Sequence, residues 1–330
     1  MPEFSKSLGC LDAKNYYTGN QDIYYSIPVG DKVDHDILIN GGAVGTLTIA
    51  PSTSSKETYV KHQLTIRSSD ASLLKDVLIQ TPGGSSKPPS TKSTSYFSLS
   101  TSSGASQTDA CLRFDVTVFI PPTLRTLSIK AHSVTQIKFS DDFSSSPREL
   151  GDLHISLSSI AAATMLLPSG DLAADNVVVE MRGGYLVGTL PIANSSHIDT
   201  SRGDAITKLT VSPTAYDIPQ QHEGQEDKLA VAYLSTLTGS GRSDFVYENV
   251  RARPIHSEHT SSGMGDMYLT YKKAGYNGFV DLNARSYTAM GLQTSGRPGM
   301  PGASGERWAG NKEGGDVLKI SSMGWVGLYF

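Results

Sequence analysis

Residues 121–140, PPTLRTLSIKAHSVTQIKFS, and residues 151–211, GDLHISLSSIAAATMLLPSGDLAADNVVVEMRGGYLVGTLPIANSSHIDTSRGDAITKLTV, decide the fold. Short runs in which every second side chain is apolar recur through them: Leu127-Ile129, Leu153-Ile155-Leu157, Val177-Val179-Met181 and Ala205-Thr207-Leu209. Glycine or small polar residues separate the runs. A period of two marks strands with one face buried, and no period of 3.6 competes over a comparable length. The stretch Ser156–Leu167 alone leaves a turn or two of helix open beside a strand rung lined by small alanines.

Upstream, strands are expected at Asp22–Pro28, His35–Asn40, Val44–Ala50, Tyr59–Ser68 and Cys111–Ile120, the last closed by Pro121-Pro122. Leu73–Gln80 reads as strand or as a short turn of helix, and Tyr96–Leu99 as a short strand. Pro82–Ser95 is rich in Ser, Thr, Pro and Lys and reads as an exposed, mobile connection. Downstream, Pro213–Asp227 is a second polar connection. Strands are expected at Lys228–Leu237, Arg242–Val250, Met267–Lys272, Asn277–Asn283 and Val317–Ser321, with a separate last strand at Trp325–Phe330. A glycine- and proline-rich loop between Gly291 and Gly314 holds Trp308.

The fold class is therefore all-β: an irregular β-solenoid or β-roll, or a stacked-sheet sandwich, with long polar loops. A Gly-Asp pair precedes an alternating run at Gly151-Asp152, Gly203-Asp204, Gly265-Asp266 and Gly315-Asp316. Glycine supplies the backbone conformation of a turn and aspartate accepts backbone hydrogen bonds there. Strands too short to bury a face alone then cover one another as rungs.

The blocks Ser201–Ile206, Ser262–Leu269 and Trp308 with Gly315–Val326 resemble the adhesin-type β-solenoid domains of bacteria and of uncharacterised fungal proteins. The resemblance implies such a domain over 121–330, ending in a tryptophan-containing loop, a strand, a turn ending in glycine and a final strand. Residues 1–120 are then an N-terminal β region packed on the body, or the whole chain is one continuous domain. The resemblance implies no catalytic residues.

The chain has 330 residues, with 28 Lys and Arg against 32 Asp and Glu and a formal charge of -4. That balance gives no bulk attraction to nucleic acid or to an anionic membrane, so neither is an expected partner. The two cysteines, Cys10 and Cys111, are too few for a disulfide framework. They read as two reduced, buried thiols, with a single bridge tying the N-terminus to the body as the alternative. No basic and apolar leader pattern opens the sequence and no run approaches about 20 apolar residues, so a soluble, cytoplasmic protein is expected.

Motifs with chemistry are scarce. Arg202-Gly203-Asp204 falls on one of the Gly-Asp turns, which explains it structurally. In His256-Ser257-Glu258-His259 an extended backbone puts His256 and Glu258 on one face and His259 on the other, which does not converge on a metal. There is no GxSxG elbow and no GxGxxG between a strand and a helix. No cofactor and no metal are expected.

Aromatic residues crowd both ends of the chain. Tyr24, Tyr233, Tyr247, Tyr268, Tyr271, Trp308 and Trp325 are the candidate ligand-binding set, lining a pocket for an apolar small molecule if the N-terminal part packs on the last third. The favoured function is a β-rich protein, without a classical catalytic motif, that binds a partner or an apolar small molecule. The alternative is a cofactor-free cyclase or isomerase of fungal secondary metabolism. Such a pericyclase-like enzyme would hold its substrate in a reactive shape with help from Tyr, Ser or His. Catalytic residues and oligomeric state are not legible.

Overall fold

The computed structural model describes all residues except 55, 85–92, 103–109, 145–147, 215–230, 248–252, 272–273 and 296–304, and the side chains of 148 and 149. Much of the expected connections at Pro82–Ser95, Pro213–Asp227 and Gly291–Gly314 lies outside the described residues. The rest is largely β-strand with mixed parallel and antiparallel pairing. The chain divides into two compact units, residues Met1–Ala173 with Val179–Val187, and Ala174–Val178 with Gly188–Phe330. The expected boundary at 120/121 falls inside the first unit.

The first unit carries β1 (Asn15–Tyr16), β2 (Ile23–Pro28), β3 (Asp34–Asn40), β4 (Val44–Pro51), β5 (Tyr59–Ser68), β6 (Leu78–Gln80), β7 (Tyr96–Ser100), β8 (Leu112–Ile120), β9 (Thr126–Ala131), β10 (Val134–Phe139), β11 (Arg148–Leu157) and β12 (Met165–Leu167). Strands β13 (Leu172–Met181) and β14 (Tyr185–Ile192) contribute residues to both units. Two parallel runs form from alternate strands. One is β7-β3-β9-β11, with Ile37 opposite Phe97 and Ile129, and Ile129 opposite Ile155. The other is β8-β4-β10-β12, with Leu47 opposite Val116 and Ile137. Strand β5 extends the second run antiparallel to β8, and β2 pairs antiparallel to β5 beyond it. His35 on β3 and Phe97 on β7 both meet His62 on β5, so the core lies between the runs.

The second unit repeats the scheme. Its strands are β15 (Ser195–Thr200), β16 (Ile206–Pro213), β17 (Ala232–Thr238), β18 (Ser243–Tyr247), β19 (Ile255–Ser261), β20 (Met267–Thr270), β21 (Gly278–Met290), β22 (Gln293–Thr294), β23 (Arg307–Ala309) and β24 (Asp316–Tyr329). One parallel run is β15-β17-β19-β24-β21 and the other is β16-β18-β20 followed by the second half of β24. Burial alternates along β17 and β19, with Leu234 and His259 inward and Tyr233 and Glu258 outward.

Two expectations are corrected. Cys10 and Cys111 are not free thiols: they form a disulfide across a sequence separation of 101, with Cα atoms 5.9 Å apart. The number and spacing of the cysteines do not show the pairing; buried Arg113, two residues past Cys111, reaches back to the backbone of Ser5 and Gly9 and holds the N-terminal segment beside Cys111. Next, Val317–Ser321 and Trp325–Phe330 are not two strands around a turn. They are the single strand β24, which pairs β19 up to Ser322 and β20 from Val326. Of the two readings left open for Ser156–Leu167 the structure takes the one without helix: a turn leads into β12.

At Gly265 and the corners stacked with it, glycine has a different reason from the one expected. A Cβ on Gly241 would lie 2.2 Å from the Ala205 carbonyl oxygen, on Gly265 2.3 Å from that of Gly241, and on Gly324 2.4 Å from that of Gly265. None of the three has a positive φ. Glycine is needed there because consecutive corners touch backbone to backbone. The left-handed conformation is needed at Gly184 and Gly315, both at φ 85°. Gly151 lies within β11, and a Cβ on it would meet its nearest neighbour, the Arg125 carbonyl oxygen, at an ordinary 3.4 Å. Gly265→Ala is therefore expected to cost about 2 kcal/mol in urea denaturation, as overpacking does. Gly151→Ala should stay within about 0.5 kcal/mol of wild type.

Candidate functional site

Parallel, in-register pairing turns residues distant in sequence into rows. On the outward face of the second unit one row is Ser195-Tyr233-His256-Val317 and the next, two residues along, is His197-Ser235-Glu258-Lys319. Neighbouring strands lie about 4.8 Å apart, so each row spans roughly 14 Å. The two rows line a groove of ≈ 570 Å³, which falls within the size range of small-molecule sites. Tyr233 is 50% exposed and stands edge-on to His256, with ring centroids 5.5 Å apart.

The second row is polar and unpaired. His197, Ser235, Glu258 and Lys319 make no side-chain hydrogen bond or ion pair with any described residue. Glu258 and Lys319 are register partners, yet they are not closed on each other. The groove thus has one aromatic-apolar row and one row of free donors and acceptors. Within it no nucleophile is held against a base.

The structure brings few of the candidate aromatics together here. Tyr233 is in the groove. Tyr24 is exposed on β2 of the first unit. Tyr247 and Tyr271 are buried and stacked at 4.0 Å, and Tyr271 also stacks on Phe330. Tyr268 lies 5.0 Å from Trp325 and under the Arg242 guanidinium, which is itself bonded to Asp244. Trp308 sits on β23 beside Lys312. The groove residues His197, Ser235 and Lys319 were not singled out from sequence. Their parity was visible, but the pairing that aligns them was not. The orientation read for His256, Glu258 and His259 matches: the first two face out and His259 is buried. Among the described residues no group of three His, Cys, Asp or Glu is placed to hold a metal ion.

No protein-family profile matches the chain, and no curated protein matches it. Among solved structures, a putative adhesin from Bacteroides fragilis is similar at 12% identity, covering 93% of this chain and 96% of that one with a TM-score of 0.39. A putative adhesin from Parabacteroides distasonis is 11% identical over 96% and 98%, with a TM-score of 0.45. A putative cell adhesion protein from Clostridium sporogenes is 10% identical over 93% and 98%, with a TM-score of 0.23. Scores of this size carry no argument about this chain's site.

Beneath the groove the second unit holds a buried polar cluster. His259 meets the Thr236 hydroxyl through Nδ1 at 2.8 Å and the Tyr247 hydroxyl through Nε2 at 2.9 Å, and Tyr247 donates to Ser257 at 3.1 Å. Burial pushes the Tyr247 phenol up to about 12 and the His259 imidazole down to about 3. The first unit buries a histidine pair, with Nε2 of His35 and His62 3.1 Å apart and His35 Nδ1 2.7 Å from the Ser95 hydroxyl. His62 Nδ1 has no partner, so the tautomer that costs least makes it a bare acceptor. His62 Nε2–H then donates to His35, and His35 Nδ1–H donates to Ser95. Burial lowers His35 to about 3, and burial together with the nearby His35 lowers His62 well below the usual value.

The sign of the pH effect follows. As pH falls below about 6.5, the unfolded chain takes up protons that the folded imidazoles refuse. Stability is complete above that pH and is lost on the way down toward about 3, where His35 and His259 titrate in the folded state. Each of the three histidines should lower the unfolding free energy by about 1.4 kcal/mol per pH unit in that window. Urea midpoints measured between pH 7 and pH 4.5 test this, and His259→Phe should flatten the slope by about one third.

Proposed function

We propose that this chain is a binding protein whose working surface is the outward groove of the second unit. The observation that carries the reading is the unpaired row His197-Ser235-Glu258-Lys319 set beside the exposed ring of Tyr233. A ring-bearing, amphipathic small molecule fits that arrangement. Its flat apolar face lies on Tyr233 and Val317, and its polar edge exchanges hydrogen bonds with the charged row. Glu258 and Lys319 offer one charge of each sign, so a neutral or zwitterionic ligand is matched better than a polyion. Because the groove lies on an outward sheet face and does not enclose a substrate, it is read as a binding site and not as the chamber of a cyclase.

We further infer an irregular two-strand solenoid. The support is that consecutive strands alternate between two parallel runs in both units. The Cys10–Cys111 disulfide supports an oxidising surrounding in place of the cytoplasm expected from sequence. No helix among the described residues is long and apolar enough to cross a membrane.

Saturation-transfer NMR against ring-bearing fragments tests the binding reading. Hits are expected whose affinity falls at least about tenfold in Tyr233→Ala, a loss of about 1.4 kcal/mol. Lys319→Ala should weaken the anionic and zwitterionic hits, and Tyr24→Ala should change nothing. Hits indifferent to both groove substitutions would overturn the assignment.

A further inference from the structure

Two side chains of the first unit are buried where the strand pattern says they should be wet. On β8, Phe114, Val116 and Val118 point into the core, which turns Arg113 outward with Asp115. On β10, Ile137 and Phe139 point inward, which turns Gln136 and Lys138 outward. Yet Arg113 and Gln136 are each 0% exposed. Both are bonded to the segment Phe4–Cys10, and Gln136 also donates to the Ala163 carbonyl oxygen at 2.9 Å.

That segment is held as a ligand is held. The Arg113 guanidinium donates to the Ser5 and Gly9 carbonyl oxygens, each at 2.8 Å, and to the Ser5 hydroxyl at 2.6 Å. Its other face is fixed by Asp115. Burial alone would push the Asp115 carboxyl up. Hydrogen bonds from Arg113, Thr46 and Arg67 outweigh it and hold the group below its usual value. Gln136 accepts from the Ser5 N–H at 2.6 Å and donates to the Ser7 hydroxyl at 2.8 Å. Lys138 lies 5.1 Å from the centre of the Phe4 ring. Three side chains, Arg113, Gln136 and Lys138, therefore read one short piece of chain, and Asp115 holds the first of them in place.

The segment returns nothing to the core. None of residues 4–10 is buried. Two of its non-glycine residues, Ser5 (φ 68°) and Cys10 (φ 58°), sit in the sparsely populated left-handed region. An element with no buried residue of its own that holds strained residues needs an outside constraint, and the disulfide to Cys111 supplies one. Both cysteines are partly exposed, within reach of a solvent thiol.

We propose that Arg113, Asp115, Gln136 and Lys138 form a peptide-binding site, that the chain's own residues 4–10 are its resident occupant, and that the Cys10–Cys111 disulfide is the latch. A dithiol opens it. One thiolate of the reductant attacks a sulfur of the bridge, forming a mixed disulfide and releasing the other cysteine as thiolate. The second thiol of the reductant then displaces the remaining cysteine and closes the reductant's own disulfide. Two electrons and two protons end on Cys10 and Cys111. The freed segment leaves, and Arg113 and Gln136 face water. The vacated site then accepts the same segment from a second copy.

Hydrogen exchange on the full chain tests the latch, in the oxidised form, after dithiothreitol and in Cys10→Ser. The amides of residues 5–9 should exchange slowly in the oxidised form and at least a hundredfold faster in the other two. The amides of β4, β8 and β10 should remain slow throughout. A labelled synthetic peptide of residues 1–12 with Cys10→Ser should bind the reduced chain and not the oxidised one, with affinity at least tenfold weaker in Arg113→Gln. Three results would each overturn the proposal. They are persistent protection of residues 5–9 after reduction, loss of protection in β4, β8 and β10 together with the segment, or equal peptide binding by both redox forms.

Discussion

The second unit rests on the close approach of backbones at its corners. Ala205, Gly241, Gly265 and Gly324 stack with each carbonyl oxygen where the next residue's Cβ would be. That contact fixes the register of the strands on either side. A slip of one residue would place a side chain in the stack and turn every inward residue of β17 and β19 to solvent. The asymmetry is steep: the three corners stacked on Ala205 require glycine, whereas the outward positions meet no such backbone contact.

Freedom at the outward positions is what makes a binding surface available. Parallel register carries Tyr233, His256 and Val317 into one line although 84 positions separate the first from the last. Each row therefore samples strands from far along the chain, and a few substitutions remake the surface without touching the core. The two units treat their outward rows differently. In the second the polar row stays open. In the first the row around Asp115, Thr46 and Gln136 is covered by a segment of the same chain. Buried histidines stabilise both cores only while neutral, because each is hydrogen-bonded and cut off from water.

Much of this was legible in the residues. Tyr59–Ser68 alternates cleanly and is β5 residue for residue. Leu73–Gln80 reads as helix or strand because it is both. Asp70 accepts the Ser72 N–H and starts a tight turn of helix at Ala71–Asp76, after which Leu78–Gln80 extends to pair with β7. The disulfide was legible only as an alternative, since two cysteines at a separation of 101 do not show their pairing; the contacts beside it run from Arg113 to Ser5 and Gly9, which flank the two cysteines in sequence. Nor was the length of β21. Ala284–Met290 lacks an alternating buried face, and it is held extended by its pairing with β24. The groove fell between these cases. Local pattern showed which way His256 and Glu258 point, whereas knowing what stands beside them requires long-range pairing.

In-register parallel stacking is the claim on which the groove and its open polar row depend. Nuclear Overhauser contacts between neighbouring strands measure it directly in an isotope-labelled sample. The account predicts cross-strand backbone contacts for Ser195 with Tyr233, Tyr233 with His256, and His256 with Val317, all in one spectrum. Contacts of Tyr233 with Ser257 as its direct partner, a shift of one residue, would bury Glu258 and contradict it.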